Sequence, residues 1–146
     1  MKYVIIALLA VVSITAQGQQ TKTHNVFYAS NVADINNQQT KELEKLISPN
    51  DSVIKVEINA YADSEGKIEA NRELSLKRAN AIARFYESKG IHPQNIIIKA
   101  HGEQFCKESD DLKDCRVAQI KLTTIPKPPK MTVEQLLQRL RPEPTA

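Results

Sequence analysis

The segment from Lys67 to Lys89 constrains the fold more than any other, because it holds neither Gly nor Pro and places a charge on an otherwise apolar stripe. Good helix formers dominate it, and Gly90 stands where a helix would stop, so it reads as the longest helix of the chain. Asn71, Leu74, Ser75, Arg78, Ile82 and Phe85 recur at intervals of three or four and therefore share one side. Leu74, Ile82 and Phe85 are ordinary core residues. Arg78 is not: a guanidinium drawn toward a core needs an anion or several acceptors, since an unpaired buried charge is too costly.

Around this helix the chain alternates between the two periodicities. Asn25 to Ser30 carries Val26, Phe27 and Tyr28, a short apolar run suited to a strand. From Asp34 a helical pattern begins, with Ile35, Leu43, Leu46 and Ile47 near one face, ended by Ser48-Pro49-Asn50-Asp51. In Val53 to Ala60, Val53, Lys55, Glu57 and Asn59 alternate with Ile54, Val56, Ile58 and Ala60, which predicts a strand with one solvated face. Asn95 to Ala100 and Arg116 to Ile125 also read as strands. The expected architecture is α+β: a mixed β-sheet with helices packed on one face, in the order β-α-β-α-β-β.

The ends differ from this body. Lys2, the apolar run Val4 to Val12 and the small or polar Ser13, Thr15, Ala16 and Gly18 read as a secretory signal over residues 1–18, cut near Ala16 to Gly18. The run is short of the roughly 20 residues of a membrane-spanning helix, so an uncleaved anchor is the lesser alternative. No cysteine precedes Cys106, which excludes lipid attachment to a cysteine at the cleavage point. Residues 24–125 form the expected domain, and residues 126–146 a Pro-rich linker followed by a short amphipathic helix. In that helix Thr132 and Gln135 form a capping-box pair, and Val133, Leu136, Leu137 and Leu140 make an apolar stripe. The stripe either docks back on the domain, the plainer expectation, or grips a partner, such as an outer-membrane or other envelope protein.

Composition excludes several function classes. A charge of +3 with interspersed signs, and 5% aromatic residues, give neither a basic patch nor a base-stacking surface, so nucleic acid is not an expected partner. His24, His92 and His101 lie in unrelated contexts, and no serine or cysteine has a base beside it, so no catalytic constellation is expected. His101 with Glu103 ends a strand, where a histidine is usually a plain loop residue. Cys106 and Cys115 make a poor zinc site. In an exported protein they are expected to form a disulfide closing a short loop, the alternative being two unpaired thiols. No cofactor is expected.

The candidate partner for Arg78 is Asp63, in the turn Tyr61-Ala62-Asp63-Ser64-Glu65-Gly66 that feeds the long helix. Physical reasoning leaves two outcomes near even. Either Asp63 pairs with Arg78, or caps the helix, as a structural feature, or the two stand apart at a cleft edge and present opposite charges to a zwitterionic ligand.

The string Asn71, Leu74, Ser75, Arg78, Ala79 resembles the N-x-x-L-S-x-x-R-A signature of the OmpA-like (OmpA/MotB C-terminal, Pal-type) peptidoglycan-binding domains, and Asp63 with Gly66 matches the preceding D-x-x-G. The resemblance spans roughly Val26 to Thr124. It implies non-covalent capture of peptidoglycan in the periplasm through the diaminopimelate residue of the stem peptide, anchoring the protein or its complex to the cell wall. Asp63 would take the ammonium, Arg78 the carboxylate, and Asn71 would hydrogen-bond nearby. Ala29 stands where many members carry an acid, and Ala62 replaces a common Thr; both changes remove side chains near the site. Where members often show N-R-R-V this chain has Asp114-Cys115-Arg116-Val117, so Arg116 is implied as a second cation and Cys115 is placed opposite Cys106. The alternative function is an adaptor that keeps the fold, binds another protein and uses Asp63 and Arg78 only as an internal ion pair.

Overall fold

Strand and helix signals that are individually short are joined in the computed structural model by one open sheet. The structure describes residues 18–106, 111–128 and 130–141, so the expected signal segment, residues 1–18, lies almost wholly outside the described residues. The strands are β1 (Gln20–Phe27), β2 (Asp51–Ala60), β3 (Ile96–Ala100) and β4 (Val117–Pro126). The helices are α1 (Asn37–Leu46), α2 (Ile68–Ser88), the single turn α3 (Leu112–Cys115) and α4 (Val133–Leu140). The sheet runs β1-β4-β2-β3, with β4 antiparallel to both neighbours and β2 parallel to β3. This is the expected mixed α+β sheet, with α3 as an added turn before the last strand.

The core fills the space between one sheet face and the two longer helices. Val56, Ile58 and Ala60 from β2 and Ala118, Ile120 and Leu122 from β4 meet Leu43 of α1 and Ala79, Ile82, Ala83, Phe85 and Tyr86 of α2. The opposite face carries Lys55, Glu57 and Lys121, with Glu57 directly across from Lys121 in the ladder. The alternation expected in β2 breaks at its start. A register shift between Val53 and Lys55 leaves Ile54 as the extra residue, so Val53 turns to the core side instead of sharing the polar face with Lys55.

Two boundaries move for identifiable reasons. The expected first strand, Asn25 to Ser30, begins earlier, at Gln20, because its ladder with β4 orders a polar run that has no apolar alternation of its own. The first helix starts at Asn37, three residues after Asp34. Asn36 is its cap, accepting from the Gln39 N–H while the Gln39 side chain accepts from the Asn36 N–H. The tail helix α4 does have the expected capping box between Thr132 and Gln135. The expectation that it docks back on the domain is not met: Val133, Leu136, Leu137 and Leu140 are 46–78% exposed. α1 and α2 already cover the core face, and Lys127 is tied to the Asn50 and Pro49 carbonyls, so the chain leaves at the end of β4. No helix among the described residues is long and apolar enough to cross a membrane.

Tyr28 and Tyr86 are both buried, and burial pushes their phenols well above the ordinary value of 10.0. A raised folded-state pKa leaves stability unaffected below the unfolded value and removes it above, where only the unfolded chain ionises freely. Stability should therefore fall above pH 10 by roughly 1.4 kcal/mol per pH unit for each phenol. Urea unfolding midpoints across the alkaline range should show this loss; a midpoint unchanged well above pH 10 would mean that the phenols ionise freely in the folded state.

Candidate functional site

The site forms where the end of β2, the start of α2 and the loop before β4 converge on the connection between β1 and α1. Arg78 lies at its base and has no exposed surface. Its Nε donates to the Val32 carbonyl at 2.8 Å, Nη1 to Tyr61 at 2.7 Å and Nη2 to Ala29 at 3.3 Å. The guanidinium carbon stands 4.6 Å from the Tyr28 ring centroid. Arg78 thus meets several acceptors rather than a contacting anion, and it ties the β1–α1 connection to the end of β2. Burial lowers its pKa, opposed by the nearby Tyr28 and Asp63. Three of its five N–H donors are used, leaving two.

Asp63 is 6% exposed, and its partner is Arg116. Arg116 Nε donates to Asp63 Oδ2 at 2.5 Å, while the Glu65 N–H donates to Oδ1 at 3.1 Å in the turn that Gly66, at φ 97°, allows to form. Glu65, its side chain 61% exposed, sits 3.9 Å from Arg116 Nη2. Among the described residues Asp63 is salt-bridged to Arg116 and not to Arg78. Of the two outcomes expected for Asp63 and Arg78, direct pairing is not met; Arg116 is the carboxylate's contact. Arg116 also lines an open cavity of about 550 Å³ with Phe27, Tyr28, Ala29, Ser30, Lys113 and Asp114. The buried Tyr28 hydroxyl has no hydrogen-bond partner among the described residues.

The other side of the site is built on Gly102. Its N–H donates to Ser75 Oγ at 2.9 Å and its carbonyl accepts from the Ala62 N–H at 2.7 Å. A Cβ there would stand 3.3 Å from the Arg72 backbone, at a φ of 56° that disfavours side chains, so only glycine lets this loop approach α2 so closely. Asn71 is buried and donates to Glu103 Oε2 at 2.7 Å. Glu103 was not among the residues expected at the site. No local signal marks it, because its partner is 32 positions away in the chain. Cys106 and Cys115 form a disulfide, which holds the loop directly before Arg116.

A four-stranded mixed sheet under two helices, with a carboxylate and two guanidiniums gathered at one end, defines a small α+β domain. The chain belongs to the OmpA family, whose model matches residues 27–119. The fold is similar to the OmpA-like domain of FopA1 from Francisella tularensis subsp. tularensis SCHU S4, at 19% identity and TM-score 0.59, covering 79% of each chain. It is also similar to the C-terminal domain of Helicobacter pylori MotB, at 12% identity and TM-score 0.52, covering 79% of this chain and 90% of that one. A putative MotB-like protein from Desulfovibrio vulgaris aligns at 17% identity and TM-score 0.51, covering 73% and 76%. A stretch of 48 residues is 42% identical to the photosystem I P700 chlorophyll a apoprotein A2 of Gloeobacter violaceus, but spans only 33% of this chain and 6% of that protein.

Proposed function

We propose that this domain binds peptidoglycan non-covalently in the periplasm, through the free zwitterionic end of a diaminopimelate side chain, and so anchors the protein or its complex to the cell wall. The observation that carries the reading is the Asp63–Arg116 pair, whose arginine lines an open cavity, with the buried Arg78 guanidinium bonded to Ala29 of the same cavity. The ligand ammonium replaces Arg116 on Asp63, and Arg116 turns to the ligand carboxylate. Arg78, expected to take the ligand carboxylate, has no exposed surface; it acts by fixing the Ala29 and Tyr61 backbone beside Arg116. Asn71, fixed by Glu103, holds the start of α2 against the turn that carries Asp63. The leader read in residues 1–18 and the disulfide both suit an exported protein. The exposed stripe of α4 supplies a second attachment, to an outer-membrane or other envelope protein.

The adaptor reading differs in its internal ion pair, which is Asp63–Arg116 in place of Asp63–Arg78. Co-sedimentation with diaminopimelate-containing sacculi tests the proposal. Wild type is expected in the pellet, with moderate weakening by salt because the charges are partly sheltered. Asp63→Ala should leave the protein in the supernatant while its circular dichroism stays that of the folded domain. Wild-type protein that fails to pellet overturns the wall-binding reading.

A further inference from the structure

The helix α4 keeps its shape without any cover from the domain. Lys127, just past β4, is fixed to the domain, its N–H donating to the Asn50 carbonyl and its ammonium to the Pro49 carbonyl. Pro128 and Pro129 follow in the sequence and favour an extended spacer before the helix. The first turn of α4 is then satisfied locally, since Thr132 Oγ1 accepts from the Gln135 N–H and Gln135 Oε1 accepts from the Thr132 N–H. Val133, Leu136, Leu137 and Leu140, at i, i+3, i+4 and i+7, form one exposed face. Met131, directly before the cap, adds another exposed apolar side chain.

The charges around this face are of one sign. From Pro128 to Arg141 the chain carries Lys130, Arg139 and Arg141, all exposed, against the single carboxylate of Glu134, with Glu143 following beyond the helix. Lys130 precedes the stripe, Arg139 lies beside Leu136 at i+3, and Arg141 closes the helix. Cations therefore flank the aliphatic face at both ends. A second copy does not suit it: two α4 helices would meet over eight residues each, against roughly 20–30 residues a side in a stable interface. With cations at both ends, either orientation of such a pair also brings like charges together. A protein groove draws its affinity from central anchors, and this stripe has no aromatic residue or arginine at its centre. A bilayer requires neither a minimum area nor a register. Its acyl chains take the aliphatic face while anionic headgroups meet Lys130, Arg139 and Arg141.

We propose that α4 is an interfacial helix, lying in the headgroup region of a bilayer that carries anionic phospholipid, with Val133, Leu136, Leu137 and Leu140 turned to the acyl chains. The inference goes a step beyond the attachment to an envelope protein proposed above: the lipid around such a protein is the surface that α4 holds. It does not rest on wall binding, because none of these residues belongs to the Asp63–Arg116 site.

Flotation of the full-length mature protein with vesicles tests it, using phosphatidylcholine alone and phosphatidylcholine mixed with phosphatidylglycerol. Wild type should float with the mixed vesicles, and less with the neutral ones or at high salt. Leu136→Ser with Leu137→Ser should weaken binding to the mixed vesicles at least about tenfold. Arg139→Gln with Arg141→Gln should weaken it roughly tenfold, with little change on neutral vesicles. Both double variants should keep the circular dichroism of the folded domain and pellet with sacculi as wild type does, since the altered side chains are exposed and outside the sheet. The chain has no Trp, so Leu140→Trp supplies a single fluorophore, whose emission should shift to the blue on mixed vesicles. Wild type that stays below the vesicles, a Leu136→Ser and Leu137→Ser protein that floats as wild type does, or a Leu140→Trp emission that does not move overturns the lipid contact. Equal flotation with neutral and mixed vesicles overturns the anionic assignment. Flotation by a wild-type protein that fails to pellet with sacculi overturns the wall-binding reading and leaves the lipid contact standing.

Discussion

Arg78→Met is expected to lower stability by roughly 3–5 kcal/mol, a large part of the ~5–15 kcal/mol that a domain of this size has. Methionine can fill much of the space but donates to nothing, so the carbonyls of Ala29, Val32 and Tyr61 would each lose a charged donor. A buried acceptor left unsatisfied costs about 1–3 kcal/mol. Arg78→Lys should recover part of the loss, because one ammonium cannot reach three carbonyls set around a planar fork. Urea unfolding followed by circular dichroism measures both. An Arg78→Met protein within about 1 kcal/mol of wild type that merely fails to bind sacculi would assign Arg78 to the ligand alone. For this reason Asp63, and not Arg78, is the clean probe of binding: its removal breaks the pair with Arg116 without orphaning the β1–α1 connection.

The second large effect is expected from the disulfide. Cys106 and Cys115 are nine positions apart, with Cα atoms at 5.2 Å. Closing a loop of that length restrains the unfolded chain by about 2–3 kcal/mol in the chain-entropy description. Cys106→Ser with Cys115→Ser should lower stability by about that amount. It should also weaken sacculus binding, because Cys115 is the last residue of α3 and Arg116 follows it directly. Reduction of the wild-type protein should reproduce both effects. If the double variant loses stability yet binds sacculi as wild type does, the position of Arg116 is set by the β4 ladder and not by the bridge. A variant as stable as wild type would mean that the bridge does not restrain the unfolded chain.

How far the site could be read from the sequence depended on distance along the chain. The stripe on α2 was legible because helical periodicity is local: Asn71, Ser75, Arg78, Ile82 and Phe85 all prove buried, and Leu74 is half-buried beside them. The nearness of Asp63 to this helix was legible for the same reason, since one turn separates them. The match of Arg116 to the family pattern raised it as a second cation, but its contact with Asp63 spans 53 positions and no local pattern encodes it. Glu103 was missed because its contact with Asn71 of α2 spans 32 positions. The extent of β1 was misjudged in the same way: hydrogen bonds to β4 ordered residues whose own pattern is polar.

By itself, then, the sequence determined α1, α2 and α4, the polar positions on the buried face of α2 and the turn that presents Asp63, since these follow from spacing over a few residues. The tertiary structure decided that Arg78 binds three backbone carbonyls, that Arg116 holds Asp63, and that the sheet runs β1-β4-β2-β3. Those outcomes depend on which distant groups arrive within about 3 Å of one another, where a hydrogen bond is made or lost.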